Sequence, residues 1–281
     1  MQWVLHIGTQ KTGSKALQRF LAAGLSRVRG GVRIAFPAQG REGIWHLPLC
    51  RALLEGDAAP VRAALQAHPA HAWDFGVFSC EDLYELPADA VRLLREAVGN
   101  AKVVVFLRRQ DQFANSMLNQ FVKAHRVGIE EIRRYEDSVR SYDPRCDHKA
   151  TLSKWGGAFG RENVAPVIYD KREDAVLAFC RALGIAAEPG EQSQPNPNPA
   201  LDAEGYARLR ALKARAPDPA ALPGLVDAAR RELRGHFVDT YRHGDAWLLD
   251  EDTRQAILRN YDESNEWVRA NWFPSRPRLF D

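Results

Sequence analysis

The sequence predicts an α/β fold, with a central parallel sheet flanked by helices and a helical C-terminal region. Three observations carry that reading. Apolar runs at 3–7, 75–78 and 102–107 have the near-continuous hydrophobicity of strands covered on both faces. Segments with apolar residues at helical spacing alternate with those runs. Beyond residue 201 the strand pattern stops and helical periodicity alone remains.

Trp3, Val4, Leu5 and Ile7 supply the first strand, and Leu17, Phe20, Leu21 and Leu25 the apolar stripe of the first helix. Gly30 and Gly31 break that helix. Val32, Ile34 and Phe36 then alternate as a short strand stopped by Pro37. Residues 38–46 are a polar loop carrying Arg41, Trp45 and His46. The Ala- and Leu-rich stretch 49–67 predicts one helix, ended by Pro69. Phe75, Val77 and Phe78 form the next strand and lead into Ser79-Cys80-Glu81-Asp82. Residues 87–98 predict a helix with Pro87 near its start and Gly99-Asn100 closing it. Residues 102–107 read as a central strand ending in Arg108-Arg109, followed by a helix from Gln110 to about Arg126.

Residues 129–148 are charged and irregular, a helix and a loop over the site. A helix through Leu152, Trp155 and Phe159, a strand at 163–168 and a helix at 174–183 capped by Gly184 complete the α/β part. The Pro- and Asn-rich stretch 188–200 reads as a loop. From Leu201 onward the sequence predicts helices alone, around Tyr206, Leu209 and Leu212, around Val226, Leu233 and Phe237, and as one helix over 250–272. The predicted organisation is therefore an α/β core at 1–187, the loop, and a helical region at 201–281 packed on the core.

Composition narrows the function. The 281 residues are enough to bury a substantial core, and 45% hydrophobic with 27% charged residues is ordinary for a soluble globular protein. A net charge of +3 argues against a general nucleic-acid or membrane binder, so anion binding has to come from local arrangement. Cys50, Cys80, Cys146 and Cys180 are widely spaced, which speaks for a reduced, cytoplasmic setting and against a disulfide scaffold or zinc knuckle. No stretch approaches the roughly 20 apolar residues of a membrane-spanning helix.

The loop between the first strand and first helix, Gly8-Thr9-Gln10-Lys11-Thr12-Gly13-Ser14-Lys15, holds the chemistry. Backbone N–H groups at a helix start are unpaired and sit at the positive end of its dipole, so this turn favours an anion, and Lys11, Lys15, Thr12 and Ser14 add charge and hydroxyl donors. A nucleoside-triphosphate loop places its lysine directly after the second glycine. Here Ser14 occupies that position, so the loop is of a different kind.

The motif Ile7-Gly8-x-x-Lys11-Thr12-Gly13-Ser14-x-x-Leu17 resembles the 5′-phosphosulfate loop of sulfotransferases that use 3′-phosphoadenosine 5′-phosphosulfate (PAPS), a family that usually reads Lys-Thr-Gly-Thr-Thr. Ser14 keeps a hydroxyl; Lys15 replaces the second threonine. In that family an arginine at a strand end and a serine eight residues later hold the donor's 3′-phosphate, and Arg108 and Ser116 match that spacing. Trp155-Gly156-x-x-Phe159-Gly160-x-x-Asn163-Val164 and the Leu279-Phe280 tail also resemble the family, as packing rather than chemistry. The resemblance implies a P-loop-type sheet and a bacterial, carbohydrate-sulfotransferase-like enzyme that releases adenosine 3′,5′-bisphosphate. It also implies a donor site of Gln10, Lys11, Thr12, Gly13, Ser14, Lys15, Arg108 and Ser116, with Lys11 stabilising charge on the leaving phosphate.

In-line transfer at an anionic centre is mostly positioning and charge stabilisation, and lysines with helix amides can supply the field without a metal. No metal-ligand spacing stands in the sequence. The acceptor, a small molecule or a glycan, has to lose a proton. Glu81 is the first candidate base because it sits at a strand end beside the loop; His46 is the second. Two other readings stand beside this one: a P-loop kinase or NTPase using Lys15 and Glu81-Asp82, and a non-catalytic nucleotide- or sulfated-glycan-binding homologue.

Overall fold

The computed structural model describes residues 1–23, 32–68, 72–186, 199–216, 218–240 and 246–280. Leu25, Gly30, Gly31, Pro69 and the Pro195-Asn196-Pro197-Asn198 run lie outside the described residues.

The α/β prediction holds. Five strands, β1 (Gln2–His6), β2 (Ile34–Ala35), β3 (Phe75–Ser79), β4 (Ala101–Leu107) and β5 (Val164–Ile168), make one sheet in the order β2-β3-β1-β4-β5, all neighbours parallel. Helices α1 (Ser14–Ala22), α2 (Leu47–Leu54), α3 (Ala59–Gln66) and α4 (Ala88–Val98) flank it, with two more that come later in the chain, α7 (His148–Phe159) and α8 (Ala175–Ala182); between β4 and α7 in sequence run α5 (Gln110–Lys123) and α6 (Ile129–Ser138).

The apolar runs become strands because both faces of the sheet are covered. Leu5, Phe78, Val103, Val105 and Leu107 enter one hydrophobic cluster with Val91, Leu94, Leu152 and Trp155. Val4, Val77, Val104 and Phe106 point the other way, into a cluster with Leu17, Leu21, Val176 and Phe179. That alternation is the period-2 geometry of a strand read from two sides.

Several boundaries differ from expectation. The stretch 49–67 is two helices, α2 and α3, because Gly56 takes a left-handed φ of +79° between them and Pro60 starts the second. The C-terminal region is not helical throughout: β6 (Ala200–Leu201) and β7 (Phe237–Val238) form a two-stranded antiparallel ladder, so Leu201 and Phe237 belong to strands. Helices α9 (Ala203–Ala214) and α10 (Leu222–Glu232) lie between them in sequence. The predicted helix over 250–272 is also two, Glu251–Arg259 and Asp262–Trp272, interrupted where Tyr261 is buried and its hydroxyl accepts the Asp143 N–H at 2.6 Å.

The chain divides into two compact units along lines other than the predicted 187/188 and 200/201 boundaries. Met1–Arg108, Asp147–Asn196 and Ser264–Asp281 form one; Arg109–Cys146 and Pro197–Glu263 form the other. The first holds the whole five-stranded sheet. The second is built on two clusters, one with Val122, Leu201, Leu209 and Val226, the other with Phe113, Met117, Ile257 and Tyr261. The four cysteines are buried and none is in a disulfide. No helix among the described residues is long and apolar enough to cross a membrane.

Candidate active site

In an open parallel sheet a ligand site forms beyond the carboxyl ends of the strands, at the point where the chain's winding reverses. Here β1 is that point, since β3 flanks it on one side and β4 on the other. Three segments of the first unit leave the sheet along this edge: the loop after His6, the Cys80-Glu81 turn after Ser79, and Arg108 after Leu107.

The loop is tied down by its own main chain. Phe106 N–H donates to Gly8 O at 2.5 Å, and both the Thr9 N–H and Thr9 Oγ1 donate to Phe106 O at 3.0 Å. Gly8, Lys11 and Gly13 all take left-handed φ, +97°, +66° and +83°. A Cβ on Gly8 would stand 2.9 Å from Glu81 Cβ, so only glycine lets this loop lie against the Glu81 turn. Gly13 plays the same part against Ala175.

Gly13 starts α1, which has no side-chain cap. Ser14, 4% exposed, opens the helix with an Oγ that has no hydrogen-bond partner. A buried, unsatisfied hydroxyl beside uncapped helix amides is set up to meet an anion. Thr12 differs. Its hydroxyl is spent on Thr9 O at 2.5 Å, so the only donor it has for an anion is its backbone N–H, not the hydroxyl expected from the sequence.

Cations surround the loop. Lys11 is mostly buried, and burial, then Arg108 and Lys15, pull its pKa down to about 8 against an opposing pull from Glu81. An Arg108 Nη1 donates to Lys11 O, its guanidinium lies 5.3 Å from the Tyr169 ring centroid, and its buried Nε has no partner. Lys15 is exposed, with Nζ 5.5 Å from the Trp45 ring centroid. Gln10 makes a long 3.5 Å contact to Glu85 at the rim.

Glu81 opens a 3-10 turn at Glu81–Glu85, where its half-buried carboxylate accepts from Gln18 Nε2 at 2.8 Å. Gln18 is 0% exposed, on the face of α1 that also buries Leu17 and Leu21. Sequence reading passed over it, although a glutamine among core positions of an amphipathic helix is the kind of exception that signals a polar partner. Asp82 is exposed and caps no helix.

His46 does not fit the role of a base. It is 1% exposed, its Nε2–H donates to Pro37 O at 3.1 Å, and its Nδ1 accepts the Ser79 N–H at 3.1 Å. Both ring nitrogens are taken by backbone, and burial lowers its pKa to about 4. The side chain is a strut that fastens the 38–46 loop to the end of β3.

A second histidine, also passed over, acts the same way on Arg108. His148 Nε2–H donates to Arg108 O at 3.0 Å, which leaves Nδ1 to accept from Tyr84 OH at 3.3 Å. Burial lowers its pKa to about 4, so the ring is neutral and the tautomer follows from the carbonyl it faces. Ser116 lies half-buried on α5, in the second unit.

No family model matches the chain, and no curated protein does either. Among solved structures it is similar to a sulfotransferase from Alicyclobacillus acidocaldarius, at 16% identity over 86% of this chain and 99% of that one, with a TM-score of 0.46. It is also similar to the sulfotransferase domain from the curacin biosynthetic pathway, at 11% identity over 92% and 97% of the two chains, with a TM-score of 0.42.

Proposed function

We propose that this protein is a PAPS-dependent sulfotransferase that moves a sulfuryl group to a hydroxyl or amine of an acceptor, with a carbohydrate as the leading acceptor class. The observation that carries the reading is a set of donors around the first loop that bond nothing within the protein: Ser14 Oγ and Arg108 Nε are buried without partners beside an uncapped helix start and two lysines. Donors buried without acceptors are costly, and a multiply charged anion satisfies them.

The residues fit the donor nucleotide. Ser14 Oγ, the first amides of α1 and Lys15 would hold the 5′-phosphate. Arg108 would take the 3′-phosphate, with Ser116 assigned beside it on the sequence resemblance alone. PAPS supplies an activated sulfuryl group and departs as adenosine 3′,5′-bisphosphate.

Lys11, as an ammonium, neutralises charge that builds on the departing oxygen, and its burial strengthens that interaction relative to water. Glu81 accepts the acceptor's proton; it stands against Gly8 and is held by Gln18, whereas both ring nitrogens of His46 are occupied. His148 and Tyr84 hold the main chain of Arg108 and so position its guanidinium.

Calorimetric titration with adenosine 3′,5′-bisphosphate, set against ATP with magnesium, tests the donor assignment. Binding of the bisphosphate alone supports it, and binding of magnesium ATP alone transfers the site to a kinase or NTPase. Transfer of label from 35S-PAPS to an acceptor panel separates an enzyme from a non-catalytic binding homologue.

A further inference from the structure

We infer that the loop at residues 38–46 recognises the acceptor through a negative charge, so that the substrate carries a carboxylate, phosphate or sulfate near its nucleophile. The inference rests on the sulfotransferase reading above and names the acceptor class for that same site.

The loop is built, not loose. Arg41 N–H donates to Ala38 O at 3.2 Å, Glu42 N–H donates to Trp45 O at 2.9 Å, and Glu42 and Trp45 form an isolated antiparallel bridge. One end is fastened to the candidate base: His46 N–H donates to Ser79 O at 3.0 Å and Ser79 N–H to His46 Nδ1, two residues before Glu81. The other fastening is to the donor loop, through Lys15 over the Trp45 ring. The loop therefore stands between the group that would take the acceptor's proton and the helix start that would hold the donor.

Two donors on it have nothing to bond. Arg41 Nε and Trp45 Nε1 are both buried and both lack a hydrogen-bond partner. The Arg41 guanidinium is set in place over the Phe36 ring, 4.9 Å from its centroid. The loop's own carboxylate, Glu42, is engaged by Arg51 at 3.3 Å and not by Arg41. An arginine held by an aromatic ring, with no carboxylate partner among the described residues, on the same loop as an indole N–H without an acceptor, offers donors to an oxyanion. A neutral acceptor would leave the guanidinium charge uncompensated, whereas an anionic one supplies both the opposite charge and the acceptor atoms that these donors lack.

The test uses protein saturated with adenosine 3′,5′-bisphosphate and three matched pairs of probes: methyl β-glucuronide and methyl β-glucoside, glucose 6-phosphate and glucose, 4-hydroxybenzoate and 4-hydroxybenzamide. Calorimetry should find the acid of at least one pair bound about tenfold or more tighter than its neutral partner. Arg41→Gln and Trp45→Phe should each cut that preference by ~fivefold or more while leaving bisphosphate affinity within about twofold, because neither side chain belongs to the donor set. The pair that discriminates also tells whether a carboxylate or a phosphate is read. A preference below about tenfold in all three pairs overturns the inference, and so does a preference that survives both substitutions. The first titration, bisphosphate alone, reports separately on the donor reading: if it shows no binding, that reading fails and takes this one with it.

Discussion

Gln18 Nε2 donates to Glu81 Oε2 at 2.8 Å, joining a fully buried side chain of α1 to a carboxylate at the end of β3. The amide orientation is decided by chemistry, since the flipped form would set a carbonyl oxygen against a carboxylate. The bond leaves the other Glu81 oxygen outside this clamp and restricts the rotamers the side chain can reach. Gln18 is thus a positioning residue, and its Oε1, buried without a partner, marks the polar cost of holding Glu81 there.

Glu81→Gln should lower turnover by ~100-fold or more, the usual contribution of a positioned base. Gln18→Ala should lower it by ~10-fold with bisphosphate affinity unchanged. The double variant should be no slower than Glu81→Gln alone, because the two residues act as one unit. Label transfer from 35S-PAPS measures all three; additive losses would make Gln18 a packing residue only.

Ser14 and Thr12 separate binding from folding within one loop. Ser14 Oγ has no partner, so Ser14→Ala should leave thermal stability unchanged or slightly raised while weakening bisphosphate binding by ~10-fold. Thr12 Oγ1 is bonded to Thr9 O inside the protein, so Thr12→Val should cost about 1 kcal/mol of stability. Melting curves and calorimetry on the two variants should give opposite patterns.

Much of this is legible in the amino-acid sequence. The strands at 75–78 and 102–107 announce themselves because a strand covered on both sides has to be apolar at nearly every position, and Gly8 and Gly13 mark the loop because left-handed backbone needs them. The two-residue strands at 200–201 and 237–238 were not, since two residues cannot display a period. The interruption at Tyr261 was hidden because that side chain continues the helical stripe, and the Asp143 backbone that bonds it lies 118 positions away. His46 misled for a related reason. Its fate is decided by Pro37 O and by an N–H 33 positions on at Ser79, and local sequence carries neither. Gln18 was legible in principle, as the polar exception on an apolar face.

Three buried histidines should make the first unit acid-labile. Burial lowers the pKa of His6 to about 3 and those of His46 and His148 to about 4, against an ordinary 6.5. A depressed folded-state value means that the stability is fully present above pH 6.5 and is lost as pH falls toward 4, where the unfolded chain binds protons that the folded chain refuses. With three such groups the slope approaches ~4 kcal/mol per pH unit between those limits. Urea denaturation at pH 7.5 and pH 5 should show the loss, and His46→Gln should make it shallower.

Lys11 should trade stability for anion affinity. Its pKa is pulled from 10.5 to about 8, first by burial and then by Arg108 and Lys15. At pH 7 the side chain is charged in a place that disfavours the charge, so the folded state carries a penalty that is present below pH 8 and relieved as pH rises through 8 toward 10.5. Solvent reaching the partly exposed side chain reduces that penalty to on the order of 1 kcal/mol. Lys11→Met should therefore raise the melting temperature at pH 7 and nearly abolish sulfuryl transfer. The same charge gives the wild type its pH dependence: bisphosphate affinity should fall as pH rises past about 8, with proton uptake on binding in that range, because the anion favours the ammonium form. In Lys11→Met that limb should flatten. A wild-type affinity that is level from pH 7 to 9.5, or a Lys11→Met protein that melts lower than wild type, would remove Lys11 from the centre of the site.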